Sequence, residues 1–302
     1  MKTNPGFYHQ AVLLHESIEQ LNIRPDGVYL DATYGGGGHS RLILEKLGPQ
    51  GRLIAFDQDA DAKANLVDDS RLHFIPENFR YASRFLRLYG YTRLDGVLAD
   101  LGVSSWQFDT ADRGFSTRFE AELDMRMDRR MSTTAATVLN TYSEKQLQQV
   151  FEFYGEVTNA RWLAKQIVQQ RKVHAFHTAN EFKQCIASGV YGNPNKFLAQ
   201  VFQALRIEVN QELEVLKDFL RTITPVLSSR ARLCVITFHS LEDRLVKQWM
   251  RSEAFEETSE WTWVQKKPSL QVIQKKPLLA SDEEVRKNPR ARSAKLRVAE
   301  KR

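Results

Sequence analysis

The stretch YLDATYGGGGHSRLIL, residues 29–44, decides how the rest of the chain is read. A short apolar run ends in Asp31, four glycines follow, and apolar residues then recur at helical spacing. Glycine loses more conformational entropy on folding than any other residue. Four in a row therefore mark a place where something must approach the main chain closely. Strand, glycine turn and helix in that order open a parallel α/β sheet, and such sheets bind ligands at the carboxyl ends of their strands.

The pattern continues outward. Residues 11–22 carry apolar side chains at helical spacing, and short apolar runs follow at 28–32, 53–57, 72–75 and 96–102. Helix-length segments separate them, with Ser40 and Gly48 the expected start and stop of the first. From 110 to 209 the rhythm becomes helical. Ser143 with Gln146 and Thr178 with Glu181 make capping boxes, Gly155 and Gly189 are stops, and Asn193–Pro194 opens another helix. Near 210 the α/β rhythm resumes, with a helix from 211, a buried strand at 232–238, a helix from Ser240, and two last strands near 270–276 and 294–300. The expected architecture is an α/β Rossmann-like sheet over 1–109 and 210–302, interrupted by an all-helical domain over 110–209.

Composition is that of an ordinary folded chain, with no apolar run of membrane-spanning length and no secretory pattern at the start. Two cysteines, Cys185 and Cys234, offer no disulfide framework and no thiolate zinc site, which implies a reducing, cytoplasmic setting. The net charge of +6 is a mild bias toward polyanions. Basic residues concentrate in MRMDRRM (125–131) and in the tail 286–302, whose only acid is Glu300. Solvated surface and nucleic-acid contact both fit those runs.

Two cofactor classes suit the glycine turn. A nicotinamide dinucleotide calls for G-x-G-x-x-G; Gly35 and Gly37 fit, but Ser40 stands third. S-adenosylmethionine calls for an acid ending the first strand, here Asp31, and another ending the second, here Asp57, to accept hydrogen bonds from the ribose. That ribose is common to both cofactors, so Asp57 does not choose between them. Asp100, ending the fourth strand, faces the place of a methyl acceptor. An exocyclic base amine is a poor nucleophile, and a carboxylate accepting its N–H would draw off proton density as it reacts. The Ser104 and Ser105 hydroxyls are available to assist. Amine methyltransferases commonly carry D-P-P-Y here, whereas this chain has D-L-G-V.

DATYGGGGHS, DLGVSSWQFD, DRGFS, LDMRMD, FQALRIEVNQEL, FHSLEDRLVK and NPRARSAKLR, in order along nearly the whole chain, resemble the bacterial ribosomal RNA small subunit methyltransferase H family. The resemblance implies a methyltransferase domain with a helical insertion. It further implies S-adenosylmethionine as donor, and methylation of a cytidine N4 amine in the decoding region of 16S rRNA. Carried over motif by motif, cofactor contacts fall on Gly37, Gly38, His39, Asp57, Phe79, Asp100 and Gln107. Bulk at Gly37 or Gly38 would then collide with the methionine part of the cofactor. Trp106 and Glu122 replace prolines frequent in the family, beside the motifs rather than in them.

A cytidine within folded RNA must leave its stack, and phosphate contacts elsewhere offset that cost. Arg126, Arg129, Arg130, Arg290 and Arg292 are the candidates, joined by the basic segment 160–172, whose apolar residues also suit an internal core. Asp124 and Asp128 are placed to pair with Arg126, Arg129 and Arg130, an alternative that makes the group structural. His239, Glu242 and Asp243 resemble a metal set, but the chemistry needs no metal. Ser240 as a helix cap, with His239 lining the base pocket, is the expected arrangement. Partners are thus 16S rRNA or the small subunit, with no membrane, and a homodimer is open. Rival readings are methylation of another base amine, a catalytically silent RNA-binding assembly factor, and a nicotinamide oxidoreductase.

Overall fold

The computed structural model describes residues 11–118, 120–190, 192–255 and 267–302. They form two compact units, one of 1–102 with 213–302 and one of 103–212. In chain order the elements are α1 (Leu14–Leu21), β1 (Val28–Asp31), α2 (Gly38–Lys46), β2 (Arg52–Phe56), β3 (Leu72–Ile75), α3 (Ala82–Leu88), β4 (Leu94–Asp100) and α4 (Ser105–Asp109). Then come α5 (Ala135–Thr141), α6 (Glu144–Gly155), α7 (Ala160–Gln170), α8 (Ala179–Ile186), α9 (Pro194–Asn210) and α10 (Glu212–Ile223). The chain closes with β5 (Leu227–Thr237), α11 (Ser240–Ser252), β6 (Leu270–Val272), β7 (Leu278–Leu279), α12 (Asp282–Lys287) and β8 (Lys295–Lys301). None of the described helices is long and apolar enough to cross a membrane.

The first unit is a doubly wound sheet in the order β3-β2-β1-β4-β5-β8-β6, with β7 also paired to β8. The first five strands are parallel, and β8 runs antiparallel between β5 and β6. The strands read as continuous apolar runs because both faces are covered. Leu30, Ile54, Val97, Leu233 and Val235 face one core, with Ala82 and Leu86 of α3, Phe219 of α10 and Trp249 of α11. Their chain neighbours Tyr29, Leu53, Leu98, Cys234 and Ile236 face the other, with Leu21 of α1 and Ile43 of α2. Side chains alternate along each strand, so one backbone feeds two cores.

One sequence expectation needs correction here. β5 begins at Leu227 rather than 232, because Ser228 to Arg230, behind the buried Leu227, are polar and partly exposed, with Arg230 in a left-handed conformation (φ 67°). The strand expected at 294–300 is β8, and its side chains tie down the basic tail. Arg297 Nε and Lys295 Nζ bond Asp243 at 2.6 and 3.4 Å, Arg232 pairs with Glu300 at 2.9 Å, and Lys301 Nζ donates to Ser269 at 2.6 Å.

The second unit packs α5 to α9 around its own core, which includes Leu139, Phe151, Leu163, Phe182, Phe202 and Leu205. Its caps follow the sequence signals. Ser143 with Gln146 and Thr178 with Glu181 form complete capping boxes, and Asn193 caps α9 ahead of Pro194. Gly155 lies inside α6, and Glu156 ends that helix in the left-handed conformation.

The LDMRMD segment is tied to α9 by one buried amide that sequence reading passed over. Asn210 Oδ1 accepts from Met127 N at 2.7 Å, and its Nδ2 donates to the carbonyls of Met125 and Arg206 at 2.8 and 2.9 Å. Asn210→Leu removes all three bonds and strands the Met127 N–H and the Met125 carbonyl in the interior. Unfolding of this unit, followed by circular dichroism in urea, is expected to show a loss of about 2–4 kcal/mol.

Candidate functional site

The site starts where β1 ends. Asp31 is buried; its Oδ1 accepts from Thr33 N at 3.1 Å and its Oδ2 from the Ser40 hydroxyl at 2.6 Å. Ser40 is therefore not the start of the helix. Gly37 is the N-cap (φ 74°), Gly38 the first helical residue, and Ser40 lies in the first turn anchoring Asp31. Gly37 and Gly38, expected to keep bulk away from the cofactor, also face the protein itself. A Cβ on Gly37 would sit 2.7 Å from the Tyr34 hydroxyl, and one on Gly38 2.9 Å from Ala11 Cβ. Those two glycines are required by the protein's own packing. In this loop, Gly35 and Gly36 are the pair whose Cβ would meet none of the described residues within 4 Å.

The loop's course is held from outside. Asp57 Oδ2 accepts from Gly35 N at 2.7 Å, Asn65 Nδ2 donates to Gly35 O at 3.1 Å, and Arg41 donates to Gly36 O at 3.0 Å. The Asn65 carbonyl accepts from the Tyr34 hydroxyl (2.8 Å) and from Arg41 (3.1 Å). Asn65 and Arg41 belong to no motif, and only their contacts reveal the role.

Asp57, just past β2, is half-buried and also accepts from Asp59 N at 2.8 Å. Burial pushes its carboxyl up to about 7, aided by Asp59 and Asp31 and opposed by the two N–H donors. Beside it, Asn78 Nδ2 donates to Gln58 at 2.7 Å, joining the loops after β2 and β3. That bond places Phe79 at the same edge of the sheet, half-buried and edge-on to Phe219 at 5.1 Å.

Asp100 ends β4, with its amide donating to Thr33 Oγ1 at 2.8 Å. Its side chain is 23% exposed, yet Oδ1 is buried without a hydrogen-bond partner among the described residues. Burial raises its pKa well above the ordinary carboxylate value, and the charges of Asp31, Glu242 and Glu284 add to the effect. His39 approaches Oδ2 at 3.8 Å through Nδ1, too far for a hydrogen bond. Burial lowers the His39 pKa to about 4, so the ring is neutral, and Nε2, 3.2 Å from Val12 O, carries the proton.

Gly37, Gly38, His39, Asp57, Phe79 and Asp100 thus all lie at the carboxyl edge of β1 to β4 within one unit. Among the described residues, no lysine or arginine pairs with Asp31, Asp57 or Asp100. Such a cradle suits a cationic ligand with hydroxyl donors, and it would repel the pyrophosphate of a dinucleotide.

The other candidates are placed differently. Gln107 belongs to the second unit, buried, its Oε1 accepting from Ser104 N at 3.0 Å in the capping box of α4. Arg126 takes the structural alternative and braces its own segment. It forks onto Asp124 at 2.7 and 2.8 Å and donates to the carbonyls of Met131 and Arg129. Burial would raise Asp124, but the Arg126 guanidinium wins and holds it below the ordinary value. Arg113 of DRGFS is buried and donates to the carbonyls of Arg126 and Met127 at 3.1 Å, a role the sequence did not disclose. Arg129 and Arg130 are exposed, paired with Asp112 and Asp128 at 3.0 and 2.9 Å. Arg292 is exposed and Arg290 half-buried, in the short turn before β8.

In FHSLEDR the helix cap is His239 rather than Ser240, its Nδ1 accepting from Glu242 N at 3.4 Å. An imidazole lone pair replaces the hydroxyl expected from cap preferences. Glu242 Oε2 accepts from Phe238 N at 3.0 Å, while Asp243 is held by Arg297 and Lys295.

Residues 6–302 match the model of the MraW methylase family. A curated protein of Christiangramia forsetii named ribosomal RNA small subunit methyltransferase H is 50% identical over 298 residues, 97% of this chain and 98% of that protein. Its namesake from Bacteroides fragilis is 48% identical over 304 residues, covering all of both chains. Among solved structures, TrmN from Thermus thermophilus covers 96% of this chain and 48% of its own at 12% identity, with a TM-score of 0.42. That last likeness is too remote to carry an argument.

The crowded carboxylates have a measurable cost. A carboxyl whose folded pKa is raised holds a proton that the unfolded chain has lost, so stability falls as pH rises from the ordinary carboxylate range through the raised value. Asp100→Asn removes that penalty. Its melting temperature is expected to exceed that of the wild type by a few degrees at pH 8, with the difference shrinking toward pH 4. Scanning calorimetry at the two pH values reads the effect.

Proposed function

Because the chain belongs to the MraW methylase family, we propose that it methylates the N4 amine of a cytidine in the decoding region of 16S rRNA in the small ribosomal subunit. It is an S-adenosylmethionine-dependent methyltransferase. The observation that carries the finer reading is Asp100 Oδ1, a buried carboxylate oxygen at the end of β4 without a partner among the described residues.

A bound S-adenosylmethionine supplies a methyl group made electrophilic by its positively charged sulfur. Asp57 would accept hydrogen bonds from the ribose hydroxyls, and the Phe79 ring would pack beside the adenine. The first amides of α2, at Gly38 and His39, have no partner within the helix and suit the methionine carboxylate. The open space at Gly35 and Gly36 lets the main chain pass close to the ligand. Any part Gln107 plays falls to its side-chain NH2, since its oxygen serves the α4 cap.

The cytidine amine is a weak nucleophile because its lone pair is delocalised into the ring, and it must shed a proton as its nitrogen is alkylated. Asp100 Oδ1 accepts that N–H. A carboxylate with a raised pKa is a stronger base than an ordinary one, and a neighbouring cation keeps it ionised. His39, neutral and fixed on Val12, packs beside Oδ2 without neutralising it. Holding amine and donor in line and excluding water is the rest of the protein's task.

The nucleotide must leave its stack, and basic side chains elsewhere offset the cost. Arg129, Arg130, Arg290 and Arg292 remain in that role. The exposed pairs of Arg129 and Arg130 are worth about 0–1 kcal/mol each, so an rRNA phosphate can displace the acids. An rRNA substrate also implies a cytoplasmic enzyme.

The test is methyl transfer from labelled S-adenosylmethionine to small subunits lacking their cytidine N4 methylation, with the nucleosides identified by mass. The expected product is N4-methylcytidine, with the single-turnover rate of Asp100→Asn reduced about 100-fold or more. Label in a different nucleoside would overturn the assignment of the atom. An undiminished Asp100→Asn rate would overturn the role of the carboxylate.

A further inference from the structure

We propose that the outer face of α3 and the turn before it form an RNA-contact surface, taking a single-stranded stretch of the rRNA substrate. The inference rests on the rRNA reading above and adds a surface that the cofactor and methyl-transfer chemistry do not use.

The segment FRYASRFLRLYGY, residues 79–91, interleaves arginines with aromatic rings. Ala82 and Leu86 bury one side of α3 in the sheet core. Around and beyond that buried side, Tyr81 is 46%, Leu88 71% and Tyr89 48% exposed, more apolar surface than a solvated helix face requires. Glu77, Tyr81, Arg84, Phe85, Arg87 and Leu88 line a cavity of about 670 Å³ there. Arg84 and Arg87 are exposed, and neither makes an ion pair among the described residues.

The rings are held in place before any ligand arrives. Tyr89 stacks on Phe85 at 6.4 Å and 18°, and the His73 ring meets it edge-on at 4.3 Å. Phe85 in turn lies edge-on to Phe56 of the core at 6.1 Å. Arg80, paired with Asp218 at 2.5 Å, lies over the Tyr81 ring at 5.7 Å.

Rigid exposed rings beside uncompensated guanidiniums are what a nucleic-acid strand meets on a stacking platform. Bases lie on the rings with little sequence preference, and the cations take the phosphates. An apolar protein partner fits less well, because covering Leu88 and Tyr81 would also strip water from two unpaired arginines. Glu77 is the only acid in the lining.

The experiment uses the full chain and a fluorescein-labelled single-stranded RNA copied from the decoding region, with binding read by anisotropy over a salt series. Tyr81→Ala and the double variant Arg84→Gln/Arg87→Gln are each expected to weaken binding about tenfold. The double variant is also expected to flatten the slope of log Kd against log salt by about 1.4. S-adenosylmethionine affinity and melting temperature should not move in either variant. RNA binding equal to wild type, with an unchanged salt slope, would overturn this surface while leaving the methyltransferase reading intact. A wild-type protein that binds neither this RNA nor small subunits would instead overturn the rRNA reading, and this surface with it. If the variants alter sedimentation but not RNA binding, the face joins two copies of the chain and the proposal is wrong.

Discussion

Everything at the carboxyl edge of the sheet depends on keeping three carboxylates close together with no basic partner among the described residues. Asp31, Asp57 and Asp100 end adjacent parallel strands, so the topology alone brings them together. Each raised pKa has burial as its largest cause, and neighbouring charges add to the shifts of Asp57 and Asp100. The surrounding residues divide by which acid they serve. Ser40 and Thr33 satisfy Asp31, backbone amides of Gly35 and Asp59 satisfy Asp57, and Asp100 Oδ1 has no partner among the described residues. An arrangement that costs stability when empty and is relieved by a cation explains why the site prefers a sulfonium donor to a dinucleotide.

The same constraint accounts for what the glycines do. Gly37 and Gly38 let Tyr34 and Ala11 close on the start of α2, which fixes where the helix begins. Gly35 and Gly36 then carry the loop past open space, pinned by Asp57, Asn65 and Arg41. A single glycine run thus serves internal packing at one end and borders open space at the other.

Much of this was legible in the sequence. Acids ending apolar runs, and helices between them, require a parallel sheet with its ligand at one edge, so Asp31, Asp57 and Asp100 stand out by pattern. Capping boxes at Ser143 and Thr178 are local chemistry and read correctly. What escaped was set by contacts between residues distant in the chain. Asn210, Arg113 and Asn65 act on the backbone of other segments, and the pairing of Arg126 with Asp124, an open alternative in the sequence, is completed by two carbonyls that no pattern shows. The strand at the basic end of the chain was legible from its pattern, but composition cannot show that Arg297 faces Asp243 across a strand and a helix. His239 in place of Ser240 shows the limit of cap preferences where an imidazole lone pair is equally near.

The central claim is that Asp57 receives the cofactor ribose as a carboxylate. Its pKa of about 7 without ligand makes the claim directly measurable, because a protonated carboxyl cannot accept both hydroxyls. The sign follows: affinity falls as pH falls through that value. Titration calorimetry of S-adenosylmethionine at pH 8 and pH 6 should show about tenfold weaker binding at the lower pH, as ionisation near 7 requires. In Asp57→Asn that dependence should disappear, leaving only what the ligand's own groups contribute. Identical pH dependence in wild type and variant would contradict the account.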